Sequence, residues 1–228
     1  MSALQNALRQ ALTPALGSAR RGVSRYFTPQ NAVAQSYIQP SSDLILNNDF
    51  SLSVDCVLPP SRGNLFGADT SDRFEVLIND AQNLIVFDDI NKGFFNVNVS
   101  SLVDGRLHRI VCNYASGVFE VFTDGVSLGS VSVSIPTTRI SYIGRSQSFQ
   151  PYYQGIIANA VASVVGGGGF DYPIDRYYTP QNNTVLDESG SGNHGTFVNI
   201  AAGRSKYYQQ RADGNFADLQ GNVLEVAY

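Results

Sequence analysis

Hydrophobic and polar residues alternate with a period of two along most of the chain beyond residue 26. In residues 50–58 every second residue is apolar, and serines or Asp55 stand between them. The same alternation recurs in residues 73–80, 83–89, 107–114 and 118–125. Successive side chains of a β-strand point to opposite faces, so each segment predicts a strand with one buried face. Short strands separated by turns predict an all-β fold, an antiparallel two-sheet β-sandwich.

The composition agrees with this prediction and excludes two other classes of protein. Charged residues make up only 15% of the chain, while 21 Gly, 12 Tyr and 13 Phe supply turns and bulk. The hydrophobic fraction of 43% is enough for a sizeable core, which excludes a wholly disordered chain. No apolar run is long enough to cross a bilayer, so we expect no membrane partner.

The first residues follow a helical pattern instead. Leucines at intervals of four predict a short helix within residues 3–16, and a helix of this length is stable only against a partner. The first 42 residues hold four arginines and no acid, whereas the rest holds 11 basic and 19 acidic residues. We therefore predict that residues 1–24 are an arm that anchors the chain to an acidic surface. The predicted anchor residues are Leu4, Leu8, Leu12, Leu16, Arg20 and Arg21.

Two further divisions of the chain are predicted. The sandwich occupies residues 25–165, and the glycine run at 166–169 separates it from an irregular C-terminal extension, 166–228, that packs on the sandwich or on a neighbour. Residues 25–31 and 176–182 share six of their seven residues. One interpretation is that the repeat is a coincidence, because Thr-Pro is common in turns. The alternative is that the segment is a duplicated docking peptide.

Catalytic residues are not apparent. The four glutamates lack the second acid, two positions along the same strand face, that a jelly-roll glucanase needs. His108 lies on a predicted strand and is expected to be half-exposed and structural, while His194 lies in a glycine-rich turn, exposed or bonded to backbone. The glycine run lacks the lysine of a phosphate-binding loop. The chain is therefore predicted to be no enzyme and to need no cofactor.

A binding site is predicted in two places. Asp69 and Asp72 offer oxygen ligands for calcium, although acids in turns are more often simply solvated. Phe149, Tyr152 and Tyr153 could present flat apolar faces to a sugar ring, or could pack against a neighbouring subunit.

The cysteines and the N-terminal residues indicate whether the chain is expected to be secreted. Cys56 and Cys112 lie on the apolar faces of predicted strands, so two buried thiols are favoured over a disulfide bridge. The apolar start is interrupted by polar residues and Arg9, so a secretory signal is not expected.

Several motifs together resemble the laminin-G-like or concanavalin-A-like jelly-roll family, over roughly residues 30–200. The matching positions in the strands are Gly105, His108, Phe122, Asp124, Gly125, Ile143, Gly144 and Gly155. Residues 187–197, DESGSGNHGTF, resemble a turn of the same family, although here the turn follows the sandwich rather than opening it. A family tryptophan is replaced by Cys56 or Val57, and another by Leu107. The Tyr-Pro-Ile-Asp segment before that turn makes the layout similar to structural proteins of tailed bacteriophages.

This resemblance implies a non-enzymatic virion protein, in a tail fibre or other tail appendage or in a head fibre or decoration protein. Its expected partners are the portal, tail or capsid proteins, bound through the arm, together with a host surface glycan and further copies of the chain. Nucleic acid is not an expected partner, because four arginines form a thin patch without a reading motif. The alternative from another class is a secreted carbohydrate-binding module. A glycoside hydrolase is a third alternative, and the missing carboxylates argue against it.

Overall fold

The computed structural model describes residues 37–59, 62–68, 72–145, 155–174, 184–198, 208–210 and 216–218. The predicted anchoring helix, and with it all six predicted anchor residues, lies outside these ranges. Within the described ranges, no helix has the length and apolar character needed to span a membrane.

One antiparallel sheet has eight strands. In spatial order they are β15 (Thr184–Val185), β16 (Gly195–Val198), β1 (Tyr37–Pro40), β12 (Tyr142–Ile143), β4 (Gly63–Gly67), β5 (Phe74–Ile78), β6 (Asn83–Asp88) and β7 (Lys92–Asn98). A single 3-10 turn, Ser100–Leu102, follows β7.

The second antiparallel sheet has six strands. In spatial order they are β10 (Val126–Ser132), β9 (Val118–Thr123), β8 (His108–Ala115), β3 (Phe50–Val57), β13 (Ile156–Val164) and β14 (Gly169–Tyr172). Two short pairs complete the described structure, β2 (Leu44–Leu46) with β11 (Thr138–Ile140), and β17 (Tyr208–Gln210) with β18 (Phe216–Asp218).

The two large sheets pack through the apolar faces that the alternation predicts, which confirms the β-sandwich. In β3, buried residues alternate with half-buried ones along the strand, and Leu52 and Val54 belong to the central core cluster. Phe119 of β9 is fully buried, and its ring centroid lies 6.2 Å from that of Phe74 and 5.2 Å from that of Phe94 on the facing sheet. Aromatic pairs at these distances add favourable contacts to the burial of apolar area.

Both cysteines are buried as thiols rather than joined in a disulfide, as predicted. Cys112 lies opposite Leu52 and Cys56 lies opposite His108, on the neighbouring strands β3 and β8. The cysteines are therefore offset by four residues, or roughly 13 Å along the strands, too far for a disulfide. Burial raises the pKa of the Cys112 thiol to about 12, so it stays protonated and unreactive at neutral pH.

The sandwich continues beyond residue 165. β14 pairs with β13, and the glycines between them form a tight turn in which the Val164 carbonyl accepts the Gly167 N–H. Gly169 is required where it stands, because a Cβ there would lie 2.4 Å from the carbonyl oxygen of Ala162. β16 pairs with β1, so strands up to Val198 belong to the two large sheets.

Candidate ligand-binding site

A cavity of about 350 Å³ opens at one end of the sandwich, and we call it the loop-end cavity. Segments that are distant in sequence meet there: the connection from β2 to β3, the end of β8, the segment that follows β10, and the turn after β13. The lining residues are Leu46, Asn47, Asn48, Asp49, Phe50, Tyr114, Ile135 and Val165. This volume lies at the lower end of the range for small-molecule sites.

Asp49 holds three of these segments together. Its backbone carbonyl accepts the Val165 N–H at 2.8 Å, and its carboxylate Oδ1 accepts the Ser116 N–H at 2.9 Å. Ser116 and Gly117 both have positive φ, as a tight two-residue hairpin turn requires, and this turn directs the Ser116 N–H toward Asp49. The wall of the cavity is thereby fixed by the backbone.

Tyr114 fixes the opposite segment. Its hydroxyl oxygen accepts the Ile135 N–H at 3.3 Å, and its ring packs on Phe50 with centroids 5.4 Å apart. Within the described ranges, the Tyr114 hydroxyl proton has no acceptor, so it is free to donate to a ligand.

Polar and apolar groups lie side by side in this cavity. Asn47 and Asn48 are exposed, and their carboxamides each offer an acceptor and two donors. Val165 is 63% exposed although the adjacent backbone is fixed by Asp49, and Ile135 is half-buried. Amides and hydroxyls next to a fixed apolar patch suit a ring that bears hydroxyls on its edge and C–H groups on its face.

A second polar cluster surrounds His108 at the start of β8. Its Nδ1 lies 2.7 Å from Asp124 Oδ2, and its Nε2 lies 2.9 Å from Asp104 Oδ1. Burial lowers the pKa of His108, but the hydrogen bonds to Asp124 and Asp104 outweigh it, so the pKa lies above its ordinary value. His108 was predicted to be half-exposed; it is buried, because both acids hold its ring at the rim of the core. These contacts tie the start of β8 to the Asp104 and Asp124 turns.

A third cluster lies in the turn between β15 and β16. The carboxylate of Asp187 accepts the N–H groups of Asp171, Ser189 and Asn193 at 2.8, 2.8 and 3.0 Å. The exposed His194 accepts the Asp187 N–H through Nδ1 at 3.0 Å, so this histidine bonds to backbone as predicted. These bonds all lie within the protein and hold the turn in one shape.

Several solved structures are similar to this chain. A protein of Bacteroides ovatus ATCC 8483, named as a candidate carbohydrate binding protein, matches with a TM-score of 0.50 and 15% identity, over 72% of this chain and 58% of its own. The native heptameric SAP-like pentraxin of Limulus polyphemus matches with a TM-score of 0.48 and 12% identity, over 62% and 76%. Domains LG4-5 of the mouse laminin alpha1 chain match with a TM-score of 0.40 and 19% identity, over 58% and 42%.

The fold is an antiparallel two-sheet β-sandwich, similar to that of the Bacteroides ovatus protein. The described topology and this match confirm the β-sandwich implied by the sequence motifs. This chain spans little more than half the length of the Bacteroides ovatus protein. No family model matches the sequence. No protein with curated annotation is similar to it in sequence.

Of the two predicted calcium ligands, only Asp72 lies within the described structure. Asp72 accepts hydrogen bonds from the Arg139 guanidinium, through Nε at 3.0 Å and through Nη2, so its charge is balanced by that cation. Asp69 lies outside the described residues. Among the residues that are described, no group of three or more His, Cys, Asp or Glu side chains is arranged to hold a metal ion.

The predicted glycan contacts Phe149, Tyr152 and Tyr153 also lie outside the described residues. The last described residue before them is Arg145, whose guanidinium lies 4.7 Å from the ring centres of both Tyr37 and Tyr142. Both tyrosines are buried, so this stack stabilises the packing of β1 against β12.

The two glutamates that lie on described strands, Glu75 and Glu120, are on different sheets. Glu75 is fully buried on the eight-stranded sheet, 3.8 Å from Arg73, whereas Glu120 lies on the six-stranded sheet and accepts a hydrogen bond from Ser127. These two carboxylates therefore do not form the facing pair that glycoside hydrolysis requires.

Sequence reasoning did not find the loop-end cavity. The signals were an Asn-Asn-Asp turn and a valine beside four glycines, and each is ordinary turn chemistry taken alone. Their meeting depends on strand pairing, since Asp49 and Val165 are joined only because β3 and β13 are neighbours.

Proposed function

We propose that this chain is a non-enzymatic adhesion component of a virion, whose jelly-roll sandwich binds a host surface glycan. The observation that carries the glycan-binding part is the loop-end cavity, with exposed carboxamides, a phenol proton that has no acceptor among the described residues, and a fixed, exposed valine. The virion part is supported by the resemblance of the motif order to tailed-phage structural proteins. The name of the Bacteroides ovatus protein supports carbohydrate as the ligand class.

Glycan binding is tested on the full chain with a panel of immobilised oligosaccharides, followed by calorimetry on the tightest. Asn48→Ala and Val165→Ser are each expected to lower the affinity about tenfold, the effect of losing one good polar contact or most of the apolar contact. Both side chains are exposed, so thermal stability should be unchanged. The same glycans should release no reducing ends.

Matched control variants are available on other surfaces. Asn96 is exposed on β7. Val126 is 66% exposed and begins β10, where it pairs with Thr123 at the end of β9 that lies away from the cavity. Asn96→Ala and Val126→Ser should bind the glycan as the native chain does. Failure of every glycan to bind, or equal losses in the control variants, would refute a glycan site at the cavity.

Anchoring by residues 1–24 is tested by deleting them. Burying each arm leucine against a partner would contribute roughly 1.5–3 kcal/mol, so the truncated chain should fold but no longer join its oligomer or particle. The described strands begin at Tyr37, and the deletion removes none of these. Sedimentation of both chains, and their recovery with particles, measures the loss. Normal assembly without the arm would place the anchor on the sandwich or on residues 166–228 and would favour the secreted-module alternative.

A further inference from the structure

We infer that the loop-end cavity selects uncharged sugar rings and rejects sugars that carry a carboxylate. This inference rests on the proposed function, because it names the class of ligand for the same cavity. It starts from the charges of the eight lining residues. They include one acid, Asp49, and no lysine, arginine or histidine.

The charge of Asp49 is not balanced locally. Among the described residues Asp49 forms no ion pair, and its only neutralising contact is the hydrogen bond that Oδ1 accepts from the Ser116 N–H. The second carboxylate oxygen makes no hydrogen bond within the described ranges. A carboxylate oxygen in this state is a strong acceptor for a ligand hydroxyl, because hydrogen bonds to ionised acceptors are the stronger ones.

An anionic sugar would meet this carboxylate without a compensating cation. Sites for carboxylated ligands use arginine or lysine, since a guanidinium or an ammonium pairs with the ligand charge. The cavity has neither, and two like charges in a partly desolvated site repel more strongly than in bulk water. The body of the protein adds to the repulsion, because the residues after the first 42 carry 11 basic and 19 acidic side chains.

The remaining contacts fit a neutral pyranose. Asn47, Asn48 and the Tyr114 hydroxyl supply uncharged donors and acceptors, which match hydroxyl groups of either orientation. The exposed Val165 and the half-buried Ile135 supply an apolar surface for the C–H face of the ring. Val165 is held by a backbone hydrogen bond to Asp49, so the apolar contact and the carboxylate keep a fixed relation to each other.

The experiment compares two ligands that differ in one group. Calorimetry with the full native chain measures the tightest neutral glycan of the panel and the same glycan oxidised at C6 to a uronate. The neutral form is expected to bind at least tenfold more tightly, with little dependence on salt. Asp49→Asn retains an acceptor for the Ser116 N–H and removes the charge. In this variant the neutral glycan should bind no more than about threefold more tightly than the uronate.

The outcomes separate the two proposals. Equal or tighter binding of the uronate, still lost in Asn48→Ala, would overturn the selectivity and leave glycan binding at the cavity intact. A neutral preference that Asp49→Asn does not change would also overturn it, because the charge of Asp49 would then not be its cause. If no glycan bound at all, the proposed function itself would fall.

Discussion

Replacing Asp187 with alanine is expected to destabilise the sandwich by about 2–4 kcal/mol. Its carboxylate accepts three backbone N–H groups, and those of Asp171 and Asn193 are partly buried. An unpaired buried donor costs about 1–3 kcal/mol, and water can replace the carboxylate only at the exposed Ser189 N–H. Urea denaturation at pH 7 measures the loss as a lower transition midpoint with an unchanged slope.

The loss of stability should extend beyond the turn, because the turn is hydrogen-bonded to neighbouring strands. Asn193 accepts the Tyr172 hydroxyl through its carbonyl, at 2.5 Å, and the Ser42 N–H through its side chain, at 3.0 Å. β14 and the end of β1 are therefore tied to the turn that Asp187 shapes. Hydrogen exchange of the amides in β1 and β16 should accelerate in the variant.

The charge of Asp187 also makes the stability of the sandwich depend on pH in the acid range. Partial burial raises the pKa of Asp187, but hydrogen bonds from Ser189 and from backbone N–H groups outweigh it, so the pKa lies below its ordinary value. Such a group contributes stability above its unfolded pKa of about 3.9, and the contribution is lost as pH falls through the folded value. Asp187→Ala should therefore weaken the decline of stability below pH 4.

Ser191→Ala is the matched control, since Ser191 is exposed in the same turn and, among the described residues, only its backbone N–H is bonded, to the Ser189 hydroxyl. It should change stability by less than about 0.5 kcal/mol. Equal stability of Asp187→Ala and the native chain would show that water replaces the carboxylate at all three N–H groups.

Strands β3, β5, β6, β8 and β9 were predictable from local sequence patterns, whereas β4 and β7 in the same part of the chain were not predicted. β3 and β8 are eight residues long, and their burial alternates as their apolar residues do. The burial of both cysteines was predictable from the same alternation. The strands after residue 165 were harder to predict, because β14, β15 and β16 have four, two and four residues, too few to show a period.

The candidate site could not be predicted for a different physical reason. Its chemistry depends on backbone hydrogen bonds between distant segments, such as the Asp49 carbonyl with the Val165 N–H. Alternation predicts which face of a strand is buried, but it does not predict which loops meet at the end of a sheet. The resemblance to the jelly-roll family indicated the fold and left the ligand-contacting loops unspecified, since loops vary most among proteins that share a fold.

His108 gives the sandwich a second sensitivity to pH, on the alkaline side. Two ionised carboxylates can only accept hydrogen bonds, so the contacts of Nδ1 with Asp124 and of Nε2 with Asp104 require both ring nitrogens to carry protons. Arg106, 3.8 Å from Asp104, and Arg109, whose N–H bonds to Asp124, are the cations beside the cluster. The paired state therefore contains an imidazolium.

His108→Gln is expected to cost about 2 kcal/mol at pH 6. Hydrogen bonds to charged groups contribute about 1.5–3 kcal/mol each, and solvent reduces this here, because the side chains of Asp104 and Asp124 are 35% and 50% exposed. The pKa of His108 is raised on folding, so its contribution is complete below the unfolded value of about 6.5 and is lost as pH rises through the folded value. Native stability should thus decline above pH 6.5.

The second histidine provides the control for that decline. His194 accepts a backbone N–H through Nδ1, a bond that needs no imidazolium, so His194→Gln should keep the decline of stability above pH 6.5. His108→Gln should abolish it, and the native and His108→Gln curves should converge at alkaline pH. Urea titrations at half-unit steps from pH 5.5 to 9 resolve the difference. A decline that persists in His108→Gln would assign the alkaline sensitivity to another group and reduce the His108 cluster to a packing contact.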